Sequence, residues 1–211
     1  RPLPDERLFP AGELHRVSVR RSCDWGRMAC RTSSHVGPGS FLPEFQVLKP
    51  VRVLVTGATG FIGKRLCRTL RAAGYDIWAT SSLGADITNH STSLLPIHRY
   101  TMGGHLPVDL IDWKPEVVVH LAWEGIPDLG PDMCGKNVND QRRFFEQICD
   151  LPSVRKVVAA GSCREYGDVH GSCTESLTVE TADVFGSAKD EIRLSLKASS
   201  ANSGIDVIWL R

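Results

Sequence analysis

Residues 51–63 read Val51-Arg52-Val53-Leu54-Val55-Thr56-Gly57-Ala58-Thr59-Gly60-Phe61-Ile62-Gly63. Val51, Val53, Leu54 and Val55 form a short β-branched run, the pattern of a strand buried on both faces. Gly57, Gly60 and Gly63 follow with the spacing G-x-x-G-x-x-G. Beyond them Ile62, Leu66, Leu70 and Ala73 recur every three or four residues, one apolar face of a helix that Gly74 stops. Strand, glycine turn and helix make the setting that a dinucleotide pyrophosphate requires. The glycines permit a tight turn and a close approach of backbone to phosphate. The first turn of the helix adds unpaired N–H groups and the positive end of its dipole. An ordinary strand-to-helix turn with three chance glycines explains the loop but not the pattern on both sides of it.

The 211 residues suffice for one domain with a sizeable core. A hydrophobic fraction of 42% and a charged fraction of 23% are those of a soluble globular protein. A net charge of +1 gives no electrostatic reason to expect nucleic acid or a membrane as partner. No apolar run approaches the roughly 18 residues of a membrane span. The seven cysteines (Cys23, Cys30, Cys67, Cys134, Cys149, Cys163, Cys173) contain no C-x-x-C pair. Such scatter predicts reduced thiols in a cytoplasmic protein and no metal site.

Residues 1–50 differ from the rest. Pro2, Pro4, Pro10, Pro38, Pro43 and Pro50 interrupt them, and neither a period of 2 nor of 3.6 is sustained. The expectation is a poorly ordered N-terminal extension over 1–50, followed by a dinucleotide-binding domain over 51–211. Arg16, Arg20, Arg21, Arg27 and Arg31 suggest an organelle transit peptide; Asp5, Glu6, Glu13 and Asp24 argue against one. Translated sequence upstream of the true start is the other reading. Arg211 directly follows the strand-like Ile205-Asp-Val-Ile-Trp-Leu210, so the chain reads as a piece of a longer protein.

Along the chain, Tyr75–Thr80 is the second strand. Its end is where a dinucleotide fold selects its cofactor. An Asp or Glu there would bond the ribose 2′-hydroxyl of NAD; this chain has Thr80, Ser81 and Ser82. Small hydroxyls leave room for a 2′-phosphate, a lean toward NADP over NAD, although no Arg stands in that turn. Asp86 follows, as an exposed loop aspartate or a partner for adenine or ribose. Ile97–Met102 suggests a third strand and Val108–Trp113 a short helix before Pro115. Val117–Trp123 reads as a buried strand. Helices are predicted over 135–150, with Val138, Phe144, Phe145 and Ile148 inward, and over 184–199, with Phe185, Ala188, Ile192, Leu194 and Leu196 inward. Strands follow at Lys156–Ala160 and Asp206–Leu210. This alternation predicts an α/β, Rossmann-type, doubly wound and mostly parallel sheet with helices on both faces. Gly57–Gly63, His120–Trp123 and Ser162 all fall at carboxyl ends of strands, so they converge on one crevice.

Four segments resemble the extended short-chain dehydrogenase/reductase family, the nucleotide-sugar epimerases and dehydratases. Thr56-Gly-Ala-Thr-Gly-Phe-Ile-Gly63 is similar to its cofactor loop, Val119-His-Leu-Ala-Trp123 to its cofactor-lining strand, and Asn137-Val138 to its helix asparagine. Ser162-Cys-Arg-Glu-Tyr-Gly167 resembles its catalytic serine strand. The resemblance implies that Gly57, Thr59, Gly60, Phe61, Ile62, Gly63, Ser81, Ser82, Leu121, Ala122, Trp123, Asn137 and Lys189 hold the cofactor. It also implies a nucleotide-sugar substrate, hydride transfer between nicotinamide and a sugar carbon, and a homodimer in the full-length protein. Sugar specificity would come largely from a C-terminal part beyond Arg211.

The family's chemistry uses a serine, a tyrosine and a lysine four residues after the tyrosine. Here Ser162 holds the serine position and Lys189 the lysine position. The tyrosine position is Phe185, in Phe185-Gly-Ser-Ala-Lys189. A phenyl ring fills the same volume and carries no proton. Three readings follow: an enzyme using another group, with Tyr166 the nearest phenol; an inactivated relative that still binds cofactor; or a sequence variant or error. Other candidates each carry a plain alternative. Tyr166 also fits substrate positioning or packing. His120 fits cofactor contact or a packed imidazole bonded to backbone. Glu165 fits a second acid/base or a surface glutamate. Cys163 has no evident base beside it, and Asp190, Glu191 and Arg193 read as a solvated helix face.

Overall fold

The computed structural model describes residues 49–82, 95–178 and 180–211. The expected N-terminal extension up to residue 48, with Cys23 and Cys30, and the loop residue Asp86 lie outside the described residues. The elements are β1 (Arg52–Thr56), α1 (Phe61–Ala72), β2 (Asp76–Ser81), β3 (Ile97–Arg99), α2 (Val108–Trp113), β4 (Val117–His120), α3 (Pro131–Cys149), β5 (Lys156–Ala160), a 3-10 turn (Cys163–Tyr166), α4 (Val184–Ser200) and β6 (Asp206–Leu210).

The six strands are ordered β3-β2-β1-β4-β5-β6, and every pairing is parallel. The winding direction reverses between β1 and β4, and a ligand crevice opens beyond the carboxyl ends of strands at such a point. β1 shows why its run is unbroken. Val53 and Val55 pack with Cys67, Ile77 and Ala79 on the α1 side. Leu54 belongs to the cluster of Phe144, Phe145, Ile148, Ile192 and Leu196 on the opposite face. A strand buried on both faces has no polar alternation to show.

Several boundaries differ from the expectation. The third strand ends at Arg99, prolonged only by the bond from Tyr100 N to Ser81 O at 2.9 Å. β4 ends at His120, because Leu121 N turns back to Thr56 O and residues 121–123 leave the sheet. In α1 the buried residues are Gly63 and Cys67; Ile62 is 59% exposed and Ala73 is exposed at the C-cap. The first turn of α1, with Ile62, lines the crevice instead. Leu194 is also exposed, because Ala188, Ile192 and Leu196, four residues apart, form the buried stripe of α4 and Leu194 points away from it. Phe185 is half-buried. Among the described residues no helix is long and apolar enough to cross a membrane, and no cluster of His, Cys, Asp and Glu forms a metal site.

Candidate functional site

The glycine loop is built by close approach. Gly57 has φ +67°, and a Cβ there would sit 2.9 Å from Ala122 N and from Leu121 C in the loop after β4. A Cβ at Gly63 would run into the Gly57 carbonyl oxygen and come within 2.8 Å of Ala58 Cα. Side chains at either position would fill the space over which the loop and α1 meet. Gly60 N donates to Gly57 O at 3.0 Å, which closes the turn. The N–H groups of Phe61, Ile62 and Gly63 have no carbonyl partner among the described residues, as the first turn of a helix requires. No acidic side chain occupies that turn. An anion therefore meets free donors and the positive dipole end without competition.

This loop floors a cleft of about 430 Å³. Of the residues expected on the cofactor, all except Asn137 and Lys189 line it. Tyr100, Met102, Glu124, Ile126 and Ala160 complete the walls. Thr59 Oγ1 and Ser81 Oγ are hydrogen-bonded at 2.8 Å, tying the glycine loop to the end of β2. The volume, the glycine cradle and the free helix donors fit a dinucleotide.

Asn137 is 3% exposed and its amide is committed to the loop. Its Oδ1 accepts from Glu124 N at 2.9 Å, and its Nδ2 donates to Glu124 O and Met133 O. It thereby shapes the segment that presents Trp123 and Glu124 to the cleft. His120, 1% exposed, is a packed imidazole bonded to side chains rather than to backbone. Nδ1 lies 2.9 Å from Thr56 Oγ1 and Nε2 lies 2.9 Å from Gln141 Oε1. Gln141 Nε2 contacts Asn137 Oδ1 at 3.4 Å, so its Oε1 is the acceptor. The network therefore assigns the proton to Nε2, and Thr56 donates to Nδ1. Thr56 Oγ1 in turn accepts from Leu121 N at 3.2 Å. Burial pushes the His120 pKa down to about 4, so the ring is neutral at pH 7. The relay Asn137–Gln141–His120–Thr56 holds the Leu121–Ala122 backbone against the glycine loop.

The second cluster lies at the end of β5. Ser162 is the N-cap of the 3-10 turn. Its Oγ accepts from Arg164 N at 3.2 Å, and its N–H donates to Glu165 Oε1 at 2.7 Å. This reciprocal pair is a capping box. Glu165 is fully buried, which corrects the surface reading. Trp209 of β6 donates Nε1 to its carboxylate at 2.9 Å. Burial raises the Glu165 pKa, opposed by the Ser162 and Trp209 hydrogen bonds. The spacing Ser162-x-x-Glu165 carried the capping box in the sequence; nothing there pointed to Trp209, 44 residues away.

Lys189, 6% exposed, donates Nζ to Ala160 O at 3.1 Å. The ammonium lies 4.4 Å from the Trp123 ring centroid and 5.9 Å from that of Phe185. Burial lowers its pKa to about 8, partly offset by the negative charge of Glu165. Phe185 and Trp123 meet edge to face at 4.8 Å, and the Arg164 guanidinium lies 5.5 Å from the Phe185 ring. The phenyl ring thus packs between two cations and an indole. Tyr166 is buried, and its ring contact among the described residues is with Arg211, at 4.6 Å. Cys163 is exposed. On α4, Asp190 and Arg193 pair with each other, and Glu191 pairs with Arg142 of α3.

Known proteins resemble this chain in sequence and fold. The chain is 24% identical over 167 residues to a dTDP-6-deoxy-L-talose 4-dehydrogenase (NAD(+)) of Aggregatibacter actinomycetemcomitans, covering 76% of this chain and 60% of that protein. It is 29% identical over 181 residues to a UDP-glucose 4-epimerase of Neisseria gonorrhoeae, covering 75% of this chain and 52% of that one. The chain therefore spans little more than half the length of these relatives. A UDP-glucuronic acid 4-epimerase from Bacillus cereus, solved in complex with NAD, superposes with a TM-score of 0.63 at 23% identity, over 76% of this chain and 56% of that one. That likeness is one of fold. The family model described as the NAD dependent epimerase/dehydratase family matches residues 53–211, from the first core residue of β1 through the glycine cradle to the end of β6, and the chain belongs to that family.

Proposed function

We propose that residues 51–211 are the NAD(P)-binding part of an enzyme that transfers hydride between the nicotinamide and a carbon of a nucleotide-linked sugar. One observation supports this reading: the glycine cradle after β1 lines the cleft together with Trp123 and Ala160, and Ser162 and Lys189 lie next to those two residues, Ser162 two residues after Ala160 at the end of β5 and Lys189 bonded to Ala160 O and set against the Trp123 ring. The relatives named above act on nucleotide sugars, which is the reason for this substrate class. When bound, the nicotinamide supplies the hydride acceptor or donor. The free N–H groups of α1 hold the pyrophosphate. The Thr59–Ser81 pair and Ser82 border the adenosine end, and hydroxyls with no carboxylate beside them among the described residues favour NADP. Ser162 presents its hydroxyl as a hydrogen-bond donor to the reacting sugar oxygen. Lys189 brings a positive charge to the same end of the cleft.

Phe185 supports a second reading: an NAD(P)-binding relative with little or no turnover. By the resemblance Phe185 holds the position of the family's phenol, and a phenyl ring exchanges no proton. Tyr166, turned toward Arg211, is the nearest phenol in sequence and the proposed substitute if turnover exists. The test combines thermal shift with activity. NADPH or NADH must raise the melting temperature of the chain, because a ligand of the native state stabilises it by mass action; no shift from either overturns the cofactor reading. Phe185→Tyr then separates enzyme from binder. A general acid/base contributes roughly 10²–10⁴-fold, so a gain of that order in turnover of a UDP-hexose identifies Phe185 as the lesion. Equal turnover in both forms places the proton on another group. Cofactor binding without turnover in either form favours the binder.

A further inference from the structure

We propose that Arg99 of β3 binds the 2′-phosphate of NADP and makes this chain selective for it over NAD. The inference rests on the cofactor reading above and names the residue that would decide cofactor choice. The sequence offers no arginine in the turn after β2. The sheet brings one there from the neighbouring strand.

The placement follows from register. Ser81, the last residue of β2, is paired with Arg99, the last residue of β3. Paired residues of adjacent parallel strands project to the same face, with strands about 4.8 Å apart. The face is settled by neighbours. Ile97, two residues before Arg99, packs with Ala79 and Cys67 on the α1 side. His98, between them, stacks on Trp78 at 3.8 Å on the other face. Arg99 therefore projects on the α1 face, beside Ser81, which is tied to Thr59 of the glycine loop. Tyr100, the next residue, already lines the cleft.

Charge points the same way. The end of β2 presents Thr80, Ser81 and Ser82, and among the described residues no carboxylate lines the cleft at that end. The acidic wall residue, Glu124, lies after β4 and is paired with Lys136 at 2.6 Å. Arg99 is exposed and forms no ion pair among the described residues, unlike Arg52, Arg142, Arg155, Arg164 and Arg193. A guanidinium with all donors available, one strand away from the ribose site, matches a phosphate dianion bidentately. The same cation gives no advantage to the uncharged 2′-hydroxyl of NAD.

The experiment measures binding of NADPH and NADH, and of the fragments 2′,5′-ADP and 5′-AMP, to the chain and to its Arg99→Gln and Arg99→Glu variants. Arg99 is exposed, so both variants are expected to keep the parent melting temperature. The chain is expected to bind NADPH at least tenfold tighter than NADH, and 2′,5′-ADP tighter than 5′-AMP. Arg99→Gln should remove that preference by weakening NADPH about tenfold while leaving NADH within twofold; Arg99→Glu should reverse it. A preference that persists in Arg99→Gln, an equal loss of both cofactors, or a parent chain that prefers NADH overturns the assignment. A parent chain that melts cooperatively and binds none of the four ligands overturns the cofactor reading itself, and the Arg99 assignment with it.

Discussion

The two ends of the cleft are built by different means. At the glycine-loop end, backbone makes the site: glycines that approach other backbone, free N–H groups of one helix turn, and two hydroxyls joined at 2.8 Å. Beside the β5 end, side chains do the building: Lys189, Trp123, Phe185 and Arg164 pack on one another from three separate segments, and Glu165 holds Ser162 next to them. Backbone sites tolerate almost nothing at their glycines and a good deal around them. Side-chain sites keep their shape when a ring loses one atom. Phe185 illustrates this, because the packing of the ring needs no hydroxyl and only the chemistry does.

The largest effect should come from breaking the backbone end. Gly63→Val places a branched side chain against the Gly57 carbonyl and Ala58. Neither can move without moving β1, so a destabilisation of about 3 kcal/mol or more is expected. In a domain of this size that lowers the melting temperature by about 10 °C. A variant that melts like the parent and still binds NADPH would show that the cradle is not rigid.

The pH dependence of stability separates the two ends next. His120 of the relay has a folded pKa of about 4 against an ordinary 6.5. Between those values the unfolded chain binds more protons, so stability rises with pH across that window, by up to about 3 kcal/mol. Lys189 at the other end has a folded pKa of about 8 against 10.5. The same sign applies, and stability rises again between pH 8 and 10.5. Denaturant titrations in both windows should show His120→Asn flattening only the acid slope and Lys189→Met only the alkaline one. Unchanged slopes would mean that neither group is buried as described.

A smaller effect sharpens the side-chain end. Glu165→Ala leaves the half-buried Ser162 N and Trp209 Nε1 without this acceptor, at a cost of about 1–3 kcal/mol. Glu165→Gln keeps one acceptor oxygen and removes a buried charge, so it should cost less than half as much. If both variants lose equal stability by chemical denaturation, the charge rather than the hydrogen bonding holds the turn.

Smallest of all, Leu194→Gln on the outer face of α4 should change stability by no more than about 0.5 kcal/mol, as exposed positions do. A loss comparable to a core substitution would mean that another surface covers this face.

The contrast extends to what could be read in advance. The unbroken apolar run of β1, the glycine spacing and the periodicity of α3 and α4 are local properties, set by the two repeats of 2 and 3.6 residues and by which residues permit a tight turn. They determined a parallel doubly wound sheet, the cleft at its carboxyl edge, the glycine cradle within it and the absence of a phenol at position 185. The partner of a buried polar group is not a local property. Glu165 looked like a surface residue until Trp209 arrived from β6, and His120 found Gln141 on α3 rather than backbone. Arg99 is the same case: it stands beside Ser81 only because β3 pairs with β2 in that register. Sequence determines which groups need a partner; only the tertiary structure decides which partner, because desolvation drives each buried donor to whatever acceptor the packed strands bring within reach.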